Sequence, residues 1–134
     1  MRGAIGDILV SPWTARLGRL LLCAAYLQGG IDKLADFAGA VAEQAHFGLA
    51  PAPLFAVAVV GTELIGSALV LSGRLRWLGA LWLAGFTLIA SFLANRFWAL
   101  PPGMERFMTE NAFFEHLGLV GGFVLVAARD RAAS

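Results

Sequence analysis

The chain has 134 residues, 59% of them hydrophobic and only 14% charged, with a mean hydropathy of +0.75. Soluble domains carry about 25% charged residues, so a soluble globular protein is excluded, and the length suits a single membrane domain, 1–134. The net charge of +1, with no basic cluster, excludes a nucleic-acid partner and leaves the lipid bilayer as the expected one.

The first apolar run, 17–35, predicts a membrane span. It ends in Gln28-Gly29-Gly30-Ile31-Asp32-Lys33, which lacks a small-x-small cleavage pattern, so it reads as an uncleaved span rather than a signal peptide. Leucine precedes Cys23, where a lipoprotein site needs a small residue. Cys23 is the single cysteine and sits among leucines and alanines. No C-x-x-C pair exists for dithiol chemistry, and an inert buried thiol is expected. His46 and His116 are the only histidines, too few for a haem or metal cluster.

Residues 37–49 predict a short interfacial helix, because Phe37, Val41, Ala45 and Leu49 recur every four positions. Pro51 and Pro53 restart the chain before a second span, 54–72. Gly73-Arg74-Leu75-Arg76 is a tight turn, which makes the third span, 77–98, an antiparallel neighbour. Pro101-Pro102-Gly103 stops it, and 104–111 reads as a mixed-charge loop. The fourth span, 112–128, is the shortest and is interrupted by Glu115 and His116. A run of about 19 residues covers roughly 28 Å, against a hydrocarbon core of about 30 Å. The expected fold is all-α: an integral membrane four-helix bundle with short loops.

Basic residues set the topology. Arg2, Arg16, Arg19, Arg74, Arg76, Arg129 and Arg131 fall on one side; Lys33, Arg96 and Arg106 fall on the other. Both termini are therefore expected in the cytoplasm. Trp13, Trp77 and Trp98 lie at span edges, where indoles favour the interface.

Glu63 lies near the middle of the second span. An ionised group near the bilayer midplane costs about 2.5–3.5 kcal/mol on insertion scales, so it needs a partner, a wet cavity or a function. Its candidate partners are Arg96, Lys33 and Gln28. Counting 1.5 Å per residue, Gln28, Lys33, Glu63, Asn95, Arg96, Glu115 and His116 all collect in the outer half. Helical spacing aligns Thr87, Ser91 and Asn95 on the third span, and Glu63 with Ser67 on the second. On the fourth it aligns Asn111, Glu115, Gly118 and Gly122, where Gly118-x-x-x-Gly122 permits close helix approach. The expectation is one pocket bordered by Lys33, Glu63, Asn95, Arg96, Glu115 and His116, supported by Gln28, Ser67, Thr87 and Ser91 and closed by apolar packing on the cytoplasmic side. The structural alternatives stay open. Polar stripes also glue helices together, Lys33 and Arg96 can snorkel to the interface, and His116 can be a packing residue.

Several motifs resemble the DoxX family. Gly30-Ile31-Asp32-Lys33-Leu34-Ala35-Asp36-Phe37 resembles the end of its first helix, and Gly48-Leu49-Ala50-Pro51 its lead into the second. Glu63-Leu64-Ile65-Gly66 and Leu71-Ser72-Gly73-Arg74 are similar to its second helix and turn. Asn95-Arg96-Phe97-Trp98 and the segment from Phe114 to Gly122 resemble its third-helix end and fourth helix. Many relatives carry histidine at the position of Arg96 and Lys-Asn where this chain has Glu115-His116. The resemblance implies a bacterial inner-membrane four-helix bundle, associated in some relatives with membrane oxidoreductases, and supplies no catalytic residue.

On this reading the chain is not a self-contained catalyst. It is an accessory or quinone-interacting subunit of a membrane redox system, with no intrinsic cofactor, a quinone as ligand and a protein partner holding the redox centre. The alternatives are a non-enzymatic anchor or assembly factor and a small transporter.

Overall fold

The computed structural model describes residues 3–133; Arg2, one of the basic residues of the N-terminal flank, lies outside them. Among the described residues there is no strand. The helices are α1 (Ala4–Leu9), α2 (Pro12–Ala35), α3 (Phe37–His46), α4 (Ala52–Ser72), α5 (Arg76–Ala94) and α6 (Met104–Ala133), with a 3-10 turn at Phe97–Ala99. Among the described residues, three stretches are long and apolar enough to cross a membrane: Ala52–Ser72, Arg76–Ala99 and Met104–Ala133. α2, at 24 residues, is as long, but Arg16, Arg19, Asp32 and Lys33 shorten its uninterrupted apolar stretch.

Local chemistry sets the helix ends. Pro12 occupies the first turn of α2, and the Ser11 hydroxyl accepts the Trp13 N–H at 3.3 Å. The Ser-Pro start carries α2 one turn beyond the apolar run that predicted it. Asp36 ends α2 and caps α3, accepting the Gly39 N–H at 3.0 Å. The segment 104–111, expected as a loop, is helical and forms the first two turns of α6. Its Met, Glu and Arg residues are good helix formers, and no Gly or Pro interrupts the chain between Gly103 and Gly118. Hydropathy measures transfer into lipid, so it missed a polar helical start.

α2 packs on α4, α4 on α5 and α5 on α6, while α2 and α6 meet at only a few points and α3 lies across α4. The tightest crossing is α4 on α5. A Cβ built on Gly79 would lie 2.7 Å from Leu69 Cβ and 2.9 Å from the Gly66 carbonyl oxygen, and one on Gly66 would lie 2.8 Å from Leu83 Cγ. The close approach expected of Gly118-x-x-x-Gly122 is not made: Gly118 faces open space, and Gly122 meets only the Leu22 side chain, at 3.1 Å. The backbones touch where both helices lack a side chain, and α6 reaches its neighbour through side chains instead.

The end of the bundle bearing the chain termini is closed by packing. Cys23, Val70, Leu83 and Phe123 are fully buried there, and Tyr26 stands edge-on to Phe123 with centroids 5.4 Å apart. Asp130 of α6 fixes the α4–α5 turn. It accepts the Trp77 N–H at 3.1 Å, satisfying an orphan donor of α5, and lies 3.8 Å from Arg76. Arg76 in turn donates to the Val70 carbonyl at 2.7 Å. At the opposite end, Phe92, Phe97, Trp98, Phe113 and Phe114 pack with neighbouring centroids 5.2–6.0 Å apart, tying α5 and the 3-10 turn to α6.

Candidate functional site

The sequence of each helix divides it into a packed half and a hollow half. α2 contributes Cys23 to the core and Lys33 to a cavity; α5 contributes Leu83 and then Ala90; α6, running the other way, contributes His116 and then Phe123. The hollow half is the α3 end. The cavity there has a volume of about 480 Å³. Its walls are mainly apolar, from Phe55 and Val59 on α4 to Phe86 and Ala90 on α5. Ile89 and Leu93 line it and are 65% and 43% exposed, so it opens sideways through the bundle flank.

Polar groups are few and placed at the ends. Glu63 of α4 and Lys33 of α2 form an ion pair, Oε1 to Nζ 2.8 Å, with side-chain exposures of 6% and 21%. Gly29 makes room for it: a Cβ there would fall 2.5 Å from Glu63 Oε2. The carboxylate therefore sits against the α2 backbone, where any larger residue would displace it. Buried ionised groups need such pairing, since lipid offers no substitute for water. Tyr26 and Thr87 are hydrogen-bonded towards the core side. Thr87 Oγ1 also donates to the Leu83 carbonyl at 2.7 Å, so its single proton is committed and Tyr26 donates to it. His116 Nδ1 lies 2.6 Å from the Ala112 carbonyl. A carbonyl only accepts, so Nδ1 carries the proton, and in the neutral tautomer the lone pair lies on Nε2. Gln44 of α3, buried, completes the polar set with Thr62 and Glu43.

Of the expected pocket residues, Lys33, Glu63 and His116 line this cavity, joined by Thr87. Asn95, Arg96 and Glu115 do not. α5 ends at Ala94, so Asn95 leaves the helical stripe of Thr87 and Ser91, and Arg96 follows it to an exposed position. Glu115 is exposed because adjacent helix residues point about 100° apart, and His116 takes the inward face. The inward stripe of α6 runs through Phe113, His116, Phe123 and Ala127 rather than Asn111, Glu115, Gly118 and Gly122. Ser67 is buried beside Cys23, and Ser91 is buried elsewhere with no hydrogen bond to Oγ among the described residues. Gln28 faces a separate cleft and donates to Asp32 Oδ2 at 2.6 Å. The sequence reading missed Tyr26, Glu43, Gln44 and Thr62. The sole tyrosine inside an apolar run, and the polar pair closing α3, were the available signals.

A model of the family described as DoxX matches residues 14–96, well over half the chain. The matched stretch holds the Lys33–Glu63 pair, all but the first two residues of α2, and α3 to α5, and α6 lies beyond it. No curated protein and no solved structure matches the chain.

Proposed function

Because the chain belongs to the DoxX family and is thus a membrane protein, we propose that it is a four-span bundle of the bacterial inner membrane that holds a quinone-type amphiphile in its side-opening cavity. In this reading α2 is the fourth span, despite its charges. Arg16 and Arg19 lie towards one end, Asp32 and Lys33 towards the other, and the residues between are mostly apolar. The observation that carries the proposal is the size and lining of the cavity: about 480 Å³ and mainly apolar, with the Lys33–Glu63 ion pair and His116 in its wall. That pattern suits a ligand with a polar head and a hydrocarbon tail. The tail leaves between helices into lipid, and the head meets the Lys33 donor and the His116 lone pair. The protein then acts as an accessory subunit, with a partner holding the redox centre. The packed core at the termini end argues against the transporter reading, because a solute path would have to pass Leu83 and Phe123. Exposed Arg96 and Glu115 favour contact with a partner protein, which the anchor reading also uses.

Binding of a decyl-tailed benzoquinone to the protein in lipid nanodiscs tests the proposal. Saturable binding is expected, with His116→Phe weakening it about tenfold, or roughly 1.4 kcal/mol. Linear, non-saturating uptake equal to that of empty nanodiscs would refute it.

The topology is tested by labelling in a Cys23→Ala background. A cysteine at Glu105 is expected to react with an impermeant reagent in intact cells, and one at Ser134, outside the described residues, to react only after lysis. The reverse pattern would invert the bundle in the membrane.

A further inference from the structure

A second, polar cleft lies on the other side of the ion pair. It has a volume of about 470 Å³ and is lined by Gln28, Asp32, Lys33, Asp36 and Glu43, with Gly29, Gly39 and Ala40 between them. Unlike the first cavity, it has no large apolar residue in its wall, and it lies in the angle between α2 and α3. Lys33 and Glu43 line both spaces. They are the wall between them.

We infer that Lys33 and Glu43 form a proton port, joining the head-group end of the apolar cavity to the aqueous cleft. The inference rests on the amphiphile-binding reading, and it narrows the ligand to one whose head group carries an exchangeable hydroxyl. The sequence of transfers balances without any oxidant. The head-group O–H bond breaks, its electron pair stays on oxygen, and the proton passes to the Glu63 carboxylate. Neutral Glu63 no longer holds the ammonium of Lys33. Lys33 gives one proton, through water in the cleft that both residues line, to the Glu43 carboxylate, and its freed lone pair takes the proton from Glu63. Glu43 releases its proton to water in the cleft, and the Lys33–Glu63 pair re-forms as it began. The titratable groups that share a lining with Lys33 are accounted for on each element. α2 supplies Asp32, α3 supplies Glu43 with Asp36 at its start, α4 supplies Glu63, and α6 places His116 across the cavity. α5 contributes only the neutral Thr87 to the polar lining. Glu63 is almost fully buried, whereas Lys33 is partly exposed, as a relay between a dry and a wet space requires.

The test uses the full chain in nanodiscs with a decyl-tailed nitrophenol, whose deprotonation is seen by absorbance. After a pH jump in a stopped-flow mixer, the bound probe is expected to deprotonate at least tenfold more slowly in Lys33→Arg than in the wild type. Arginine keeps the charge and the pairing with Glu63 but does not give up its proton. Glu43→Gln, a change at an exposed position, is expected to slow the step similarly, the rate being read on the bound probe alone. Unchanged rates in both variants with binding intact would overturn the port alone. Failure of the wild type to bind the probe would overturn the port together with the amphiphile-binding reading.

Discussion

Lys33→Met is expected to destabilise the protein by about 3 kcal/mol, more than Glu63→Leu at about 1–2 kcal/mol. The asymmetry follows from burial. Removing Lys33 leaves the Glu63 carboxylate stranded, with only 6% of its side chain exposed. Removing Glu63 leaves an ammonium on a flexible stem, 21% exposed, which can swing towards Glu43 and Asp36 in the cleft. Glu63→Gln keeps an acceptor for Lys33 and should cost less than either. The double variant Lys33→Met/Glu63→Leu should recover most of the loss, because no buried charge then lacks a partner. Reversible unfolding in mixed micelles gives the cycle. Equal losses for Lys33→Met and Glu63→Leu, simply additive in the double variant, would mean that the two side chains do not act as a pair.

Gly79→Ala is expected to be the most damaging single-methyl change in the bundle. The new Cβ would meet Leu69 Cβ at 2.7 Å and the Gly66 carbonyl oxygen at 2.9 Å, and the backbone oxygen cannot move aside as a side-chain tip can. Overpacking of this kind costs about 1–3 kcal/mol and separates the helices. Gly66→Ala should follow it closely, since the Leu83 side chain it would strike is fully buried. Gly118→Ala and Gly121→Ala face open space and should be neutral or slightly stabilising, alanine being the better helix former by up to about 1 kcal/mol. Comparing the unfolding midpoints of the four variants tests the assignment of the tight crossing to α4 and α5. Greater damage at Gly118 than at Gly79 would move that crossing to α6.

The sequence disclosed the apolar spans better than the direction of the side chains within them. The second and third spans were legible because a run of apolar residues has few other uses, and the four-residue recurrence from Phe37 marked the start of α3, which ends at His46 rather than at Leu49. The position of Glu63 was legible for the same reason: one charge in such a run is conspicuous. Which residues face it was harder to read. Helical periodicity places Asn95 with Thr87 and Ser91 only if α5 continues, and it stops one residue short. Glu115 and His116 are neighbours in the chain, yet one is exposed and the other lines the cavity. Depth counting cannot separate them. Tyr26 and Gln44 escaped notice because each looks like an ordinary interfacial or packing residue until its partner, Thr87 for Tyr26, arrives from another helix. Gly79 was equally silent, since what makes it essential is the absence of space on α4.

The central claim is that the cavity at the α3 end holds a head-group-bearing amphiphile in the native membrane. Native mass measurement of the protein extracted in mild detergent, with small molecules retained, tests it most directly. The wild type should carry about one copy of a quinone-sized ligand, and Ala90→Phe, which fills the cavity wall, should lose it while remaining folded. Protein that carries no such ligand in either form, or an equal load of ordinary phospholipid in both, would contradict the account.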